Sequence, residues 1–208
     1  MCKNGNESIV KYLIEHGVNI NVTSSGETPL YNACENGNLA IVKCLVENDT
    51  NLNIKSYDET PLFISCINEN EAIVKYLVKH GADINMENSH GRTPLFYACN
   101  NRNKVIVKYL VKHRANINKE KFDKETPLFD ACSGGNEAIV KHLVENGADI
   151  NKISSIGNTP LFSACYYGKE AVVKYLIEHG AYINKTNIHG QTPFFYACSS
   201  GNKAVKNI

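Results

Sequence analysis

The chain of 208 residues contains no tryptophan, and it has no long hydrophobic run. No aliphatic stretch approaches the ~20 residues that a membrane-spanning helix requires. The N-terminal residues include no apolar segment of the length found in signal peptides. We therefore expect a protein without membrane insertion that works inside the cell, in the cytoplasm or the nucleus.

An excess of charge of either sign is also lacking. Lysine and arginine total 22 against 21 acidic residues, which gives a formal net charge of +1. A chain this close to neutrality has no long-range field that favours DNA, RNA or an anionic membrane. We therefore expect no nucleic-acid partner.

Motifs of catalysis and metal binding are absent too. The sequence has no GxSxG, HExxH, P-loop or GxGxxG motif and no CxxC pair. Histidines recur at intervals of the repeat described below, and residues spaced in this way cannot converge on one centre. We expect a chain that is not an enzyme and that holds neither metal nor cofactor.

The eight cysteines do not indicate a disulfide framework. Seven of them recur every 32 or 33 residues: Cys2, Cys34, Cys66, Cys99, Cys132, Cys165 and Cys198. Equivalent atoms in stacked helix layers lie roughly 10 Å apart, whereas a disulfide requires Cα atoms within about 7 Å. The thiols are therefore predicted to be small buried apolar groups in a reducing compartment.

The six prolines reveal an internal repeat. Each follows a threonine, and the ThrPro pairs begin at Thr28, Thr60, Thr93, Thr126, Thr159 and Thr192. Most glycines also fall at fixed positions of this unit of 32 or 33 residues. Because glycine and proline mark backbone geometry, the repeat is one of backbone structure and not only of composition.

One unit can be derived from its residues. Thr159 is predicted to cap a short first helix that begins at Pro160, and Gly168 ends it. A second helix is predicted from Glu170 to about His179, followed by an extended loop or hairpin finger. A single unit buries too few apolar side chains to offset the entropy of ordering its chain, so the units must stack.

The motifs TPLF, AC, glycine, an IVKYLVEHG-like helix and GADIN resemble the ankyrin repeat. The resemblance implies an all-α ankyrin-repeat solenoid of helix-turn-helix units with β-hairpin or loop fingers, in a single domain over 1–208. By this register the complete repeats are 24–55, 56–87, 88–120, 121–153 and 154–186, with partial units at 1–23 and 187–208. Because no polar capping repeat is present, we expect a segment of a longer array, or frayed ends.

The chain departs from the family pattern at two sets of positions. An aromatic residue replaces the family's histidine after TPL, and we expect a ladder of packed rings there. These residues are Tyr31, Phe63, Phe96, Phe129, Phe162 and Phe195. Expected glycines are also replaced, by Asp49, Asp58, Glu69, Arg102, Arg114 and Lys124. We expect these six to adopt a left-handed conformation at some cost in stability.

Two further ladders are interpreted as structural. The lysines of the second helices are predicted to form a solvated face, often paired with a glutamate four residues later. Lys79 and Lys112 replace that glutamate in two repeats and make the middle of the chain more basic. His16, His80, His113 and His179 are predicted to cap the second helices.

The resemblance implies partner binding by the finger tips and the concave face of the first helices. The corresponding residues are Tyr57, His90, Arg92, Tyr97, Asn100, Asn101, Arg102, Phe122, Glu125, Ile156, Tyr166, Tyr167, Ile188, His189 and Tyr196. We therefore expect a non-catalytic, monomeric scaffold that binds a protein. The alternative is a targeting or regulatory arm of a larger multidomain enzyme or channel.

Asparagine hydroxylation is a further implication of the resemblance. Asn85 and Asn151 each follow the leucine, acidic and aliphatic residues at the spacing associated with this modification in the family. The structural alternative is that both asparagines bond the backbone of the finger turn.

Overall fold

Short helices in pairs make up the described part of the computed structural model, residues 6–199. The first helices of the repeat are α2 (Pro29–Glu35), α4 (Pro61–Ile67), α6 (Pro94–Asn100), α8 (Pro127–Gly134), α10 (Pro160–Tyr166) and α12 (Pro193–Ser199). The second helices are α1 (Glu7–Glu15), α3 (Leu39–Val46), α5 (Glu71–Lys79), α7 (Lys104–Lys112), α9 (Glu137–Glu145) and α11 (Glu170–Glu178). The predicted all-α fold is confirmed. Cys2 and residues 200–208 of the last partial repeat lie outside the described residues.

The chain divides into two compact units, Met1–Ser89 and His90–Ile208. In the N-terminal unit α2 packs on α4, and α1, α3 and α5 pack in series. In the C-terminal unit α6, α8, α10 and α12 pack in series, and so do α7, α9 and α11. Each unit therefore has one layer of first helices and one of second helices. The single domain over 1–208 remains a prediction.

Threonine stands at the N-cap of the first helices with extended backbone angles, as predicted. The Thr28 hydroxyl accepts the Tyr31 N–H at 3.1 Å. The hydroxyls of Thr60, Thr93, Thr126 and Thr159 are instead buried without a hydrogen bond. In three of these helices the N–H that a cap would bind goes to the threonine's own carbonyl, as from Phe129 to Thr126 at 2.9 Å. The predicted side-chain cap is therefore wrong for these four.

The predicted histidine caps at the C-terminal ends of the second helices are confirmed. His16, His80, His113 and His179 bond through Nδ1 to the carbonyl four residues before, at 2.7 to 2.8 Å. Asn48 and Asn146 do the same through Nδ2 in α3 and α9. At the start, Asn6, Asn38, Asn103 and Asn136 accept an N–H of the first turn, which the sequence did not indicate.

All six residues that replace glycine have the predicted left-handed backbone, with φ from 57° at Glu69 to 71° at Asp58. Ser25 and Tyr57 join them, although no glycine position of the repeat suggested it. Each such residue costs roughly 1 to 2 kcal/mol, less for aspartate.

The core of each unit lies between its helix layers. Phe63, Phe96, Phe129 and Phe162 are fully buried, but Phe195 is half exposed. The ring of Phe162 contacts Tyr196 of the next helix at a centroid distance of 5.4 Å, not the next aromatic after TPL. Phe162 therefore packs on a tyrosine of the next first helix, and the expected ladder through the whole series remains a prediction.

Cysteines fill the small spaces of the same layers. Five periodic cysteines are buried free thiols, as predicted: Cys34, Cys66, Cys99, Cys132 and Cys165. The prediction is wrong for Cys198, which is exposed on α12, the last helix of the described residues. Burial raises the pKa of Cys34 to about 12 and of Cys165 to about 11. Within residues 6–199, His, Cys, Asp and Glu form no group of three that could hold a metal ion. No helix in that range is long and apolar enough to cross a membrane.

Candidate functional site

The fingers of the C-terminal unit are joined in a row by backbone hydrogen bonds. Phe122 N–H donates to the His90 carbonyl at 3.2 Å, and Ile188 N–H donates to the Ile156 carbonyl at 3.0 Å. These fingers are closed by turns. The isolated β-bridges of the described chain, Ser24 with Glu27 and Ser56 with Glu59, belong to fingers of the N-terminal unit. The row fixes the predicted tip residues relative to one another.

Apolar side chains at these tips face solvent. Phe122 is 77% exposed and Ile188 is 67% exposed, and Ile156 is exposed as well. The Phe122 ring lies beside the preceding finger, since a Cβ at Gly91 would be 3.4 Å from its Cδ1 atom. Phe122 and Ile188 therefore leave most of their side-chain surface exposed to solvent.

Tyr166, Tyr167 and Tyr196 form an aromatic cluster on the first helices. The Tyr166 ring meets Tyr167 edge-on at 5.0 Å and Tyr196 at 5.9 Å. Tyr166 is 50% exposed and Tyr167 52% exposed. The cluster reaches the fingers, because the Tyr196 hydroxyl lies 3.4 Å from the amide nitrogen of Asn187. Asn187 Oδ1 also accepts the His189 N–H at 2.9 Å.

Arg92 is held at the base of its finger by aromatic and acidic neighbours. Its guanidinium lies 5.8 Å from the Tyr97 ring centroid and 6.0 Å from that of Phe96. Nη1 is 3.7 Å from Asp130 Oδ2 in α8. Burial raises the pKa of Asp130, and the charge of Arg92 opposes that shift. The stacked and paired arginine is preorganised for contact.

Asp130 and Lys121 complete this group, and sequence reasoning did not select them. Lys121 Nζ binds Glu125 at 2.8 Å and Asp123 at 3.2 Å. Asp130 occupies the position at which the other first helices of the unit have Tyr97, Ser163 and Tyr196. The sequence signal that could have identified Asp130 is an acidic residue at a position where the other repeats of the C-terminal unit have tyrosine or serine.

Asn100, Asn101 and Arg102 lie together at the end of α6. Asn101 is the C-cap, and the Arg102 carbonyl accepts the Asn136 amide at 3.2 Å. The Arg102 side chain lines a cleft of about 570 Å³ with Gly134, Gly135 and Lys141. The Arg102 side chain thus lies beside the start of the second helix α9.

Tyr57 belongs to the N-terminal unit, whereas the other predicted residues belong to the C-terminal unit. Its hydroxyl oxygen lies 3.0 Å from two acceptors, the Ser25 carbonyl oxygen and Glu27 Oε1. Its ring contacts Tyr31 edge-on at 6.2 Å. These contacts give Tyr57 a role in finger packing.

Asn151 links two repeats. Its amide donates to the Gly180 carbonyl at 3.0 Å and accepts the Tyr182 N–H at 2.9 Å. Asn118 makes the equivalent pair of bonds to Gly147 and Asp149. The structural alternative proposed from the sequence holds for Asn151, but its target is the turn of the following repeat. Asn85 is exposed, with its N–H on Asp83 at 2.8 Å. Hydroxylation at either asparagine remains a prediction.

Comparison with known proteins agrees with this geometry. The family model for ankyrin repeats matches three times, over residues 1–88, 81–154 and 152–208. The crystal structure of the human ASB11 ankyrin repeat domain is similar, with a TM-score of 0.88, 28% sequence identity, and coverage of 99% of this chain and 92% of that one. No curated protein sequence matches the chain. Since the family model covers the chain from end to end, the protein belongs to the ankyrin repeat family.

Proposed function

We propose that the chain is a non-catalytic scaffold that binds a protein partner on the first helices and fingers of its C-terminal unit. Ankyrin repeats are in general protein–protein interaction modules, which supports the class of function. The observation that carries the surface is the exposure of Phe122, Tyr166, Tyr167 and Ile188 on elements that are themselves fixed by packing. Exposed aromatic side chains with a nearby arginine are typical of binding hot spots.

The mechanism is contact by a preorganised surface. The finger row is tied by backbone hydrogen bonds, and Arg92 is held by Tyr97 and Asp130. A partner that binds there orders few side chains on this protein, so less of the contact energy is lost as entropy. The partner is expected to cover the tyrosine cluster and Phe122 with apolar or aromatic groups.

The test is capture of partners by three forms of the protein followed by mass spectrometry. In the test variant Phe122, Tyr166 and Tyr167 are changed to alanine, and we expect the partners of the wild type to be lost. The matched control is Tyr182→Ala, which removes a tyrosine of similar exposure outside the surface. Both variants are first shown to have the melting temperature of the wild type. Equal capture by the triple variant and the wild type would reject the proposed surface.

A further inference from the structure

The two units of the chain have opposite charge, although the whole chain is nearly neutral. Residues 1–89 contain 6 basic and 12 acidic residues, a net charge of −6. Residues 90–208 contain 16 basic and 9 acidic residues, a net charge of +7. The near-zero total therefore hides a basic C-terminal unit. The segment 90–119 has 7 basic residues and no acidic one.

The surface of α7 differs from the other second helices in its ion pairs. Four of the six second helices begin with a glutamate that binds the lysine four residues later, as Glu137 binds Lys141 and Glu170 binds Lys174, both at 2.6 Å. In these pairs the glutamate lies four residues before the lysine, so the predicted pairing with a glutamate after the lysine is wrong. The observed order is the one that suits the helix dipole. In α7 the first residue is Lys104, so Lys108 has a like charge in place of its partner.

Three lysines of α7 are exposed along one stripe of the helix. Lys104, Lys108 and Lys112 are spaced at i, i+4 and i+8, about 6 Å apart along the helix axis. None of them forms an ion pair with the part of the chain that is described. Val105 is also exposed, one turn before Lys108. The charge reaches the neighbouring helix, since burial and then Lys108 lower the pKa of His142 in α9.

We propose that the α7 stripe of Lys104, Lys108 and Lys112, with Val105 beside it, is a second docking surface that binds a short acidic helical segment of a partner protein. Charge complementarity identifies this occupant, because glutamates at i, i+4 and i+8 of a helix have the same ~6 Å spacing. A long polyanion fits less well. It would have to continue across α9 and α11, where Glu137, Glu145, Glu170 and Glu178 repel it.

The test is an NMR titration of the full chain with a helical, alanine-rich peptide of about 18 residues that has glutamate at three successive i,i+4 positions. At about 20 mM salt we expect amide shifts centred on Lys104 to Lys112, and affinity that falls about tenfold or more by about 150 mM salt. A peptide with glutamine at the same positions is expected to leave these amides unshifted.

Two variants separate the stripe from general charge. Lys104→Glu with Lys112→Glu gives α7 the glutamates that α9 has, so folding is retained, and we expect at least about tenfold weaker peptide binding. Lys174→Gln removes a lysine already paired with Glu170 and is expected to bind as the wild type does. No shift with the acidic peptide, or equal loss in both variants, would overturn the proposal. So would an oligothymidylate that shifts the same amides at lower concentration, because the surface would then be a nucleic-acid site.

Discussion

Buried threonine hydroxyls without a hydrogen bond recur at the start of the first helices. Thr126 and its counterparts at 60, 93 and 159 bury an oxygen that has no hydrogen-bond partner. The family's histidine after TPL would place a polar group nearby, but here the position is phenylalanine. A buried hydroxyl without a partner costs roughly 1 to 3 kcal/mol.

Replacement of such a threonine is therefore expected to be tolerated or favourable. Thr126→Val keeps the shape, removes the unpaired hydroxyl and should raise the free energy of unfolding by about 1 kcal/mol. Thr28→Val removes a hydroxyl that accepts the Tyr31 N–H and should lower it by about 1 kcal/mol. Urea denaturation of both variants checks the opposite signs. A comparable loss in both would mean that the Thr126 hydroxyl has a partner in solution.

Among the structural elements, the fingers depend on close backbone approach. A Cβ at Gly157 would lie 3.0 Å from Asn187 Cα and 3.2 Å from the Ile188 nitrogen, both on the next finger. Gly147, at the end of α9, has a similar left-handed backbone with φ of +92° but no atom within 4 Å of its Cβ position. The two glycines therefore separate backbone strain from contact between fingers.

Alanine at these glycines is expected to have unequal effects. Gly147→Ala should cost about 1 to 2 kcal/mol from the left-handed backbone alone. Gly157→Ala adds displacement of a neighbouring backbone, and we expect about 1 to 3 kcal/mol more. Thermal denaturation measures the difference, and amide shifts at Ile188 would show its location. Equal losses at the two sites would show that the finger row yields without cost.

The helix pairs could be predicted because each depends on neighbours in sequence. Spacing within one repeat is enough to predict three features: the ThrPro start of a first helix, the histidine at the end of a second helix and the left-handed backbone of Arg102. The group of Arg92 and Asp130 could not, since it joins residues 38 positions apart whose pairing needs the stack. The α7 stripe was visible in the sequence, but only when the lysines were compared helix by helix and not summed over the chain.

On the scale of the whole molecule, the buried thiols couple stability to alkaline pH. Cys34, Cys66, Cys99, Cys132 and Cys165 keep their protons in the folded state because burial raises their pKa, to about 12 for Cys34 and about 11 for Cys165. In the unfolded chain a thiol loses its proton near pH 8.5. The stabilising difference is thus fully present below about pH 8.5 and is lost as the pH rises towards the folded pKa.

Each of these thiols is expected to lower the free energy of unfolding by about 1.4 kcal/mol per pH unit above about pH 9. Urea denaturation at intervals between about pH 8 and pH 10 measures the slope. Cys132→Ala should reduce the slope by the contribution of one thiol. A slope unaffected by Cys132→Ala would show that this thiol ionises in the folded state.

Backbone strain is distributed unevenly along the molecule. The left-handed residues that replace glycine all lie between Asp49 and Lys124, whereas residues 125–186 have glycine at each left-handed position. At roughly 1 to 2 kcal/mol per strained residue, less for aspartate, residues 49–124 are expected to open before residues 125–186. Hydrogen exchange followed by mass spectrometry compares the two segments in one experiment. In the companion variants, Arg102→Gly and Lys124→Gly should each slow exchange in the repeat that contains the change, because glycine relieves the strain. Protection of 49–124 that equals or exceeds that of 125–186 in the wild type would refute this order of opening.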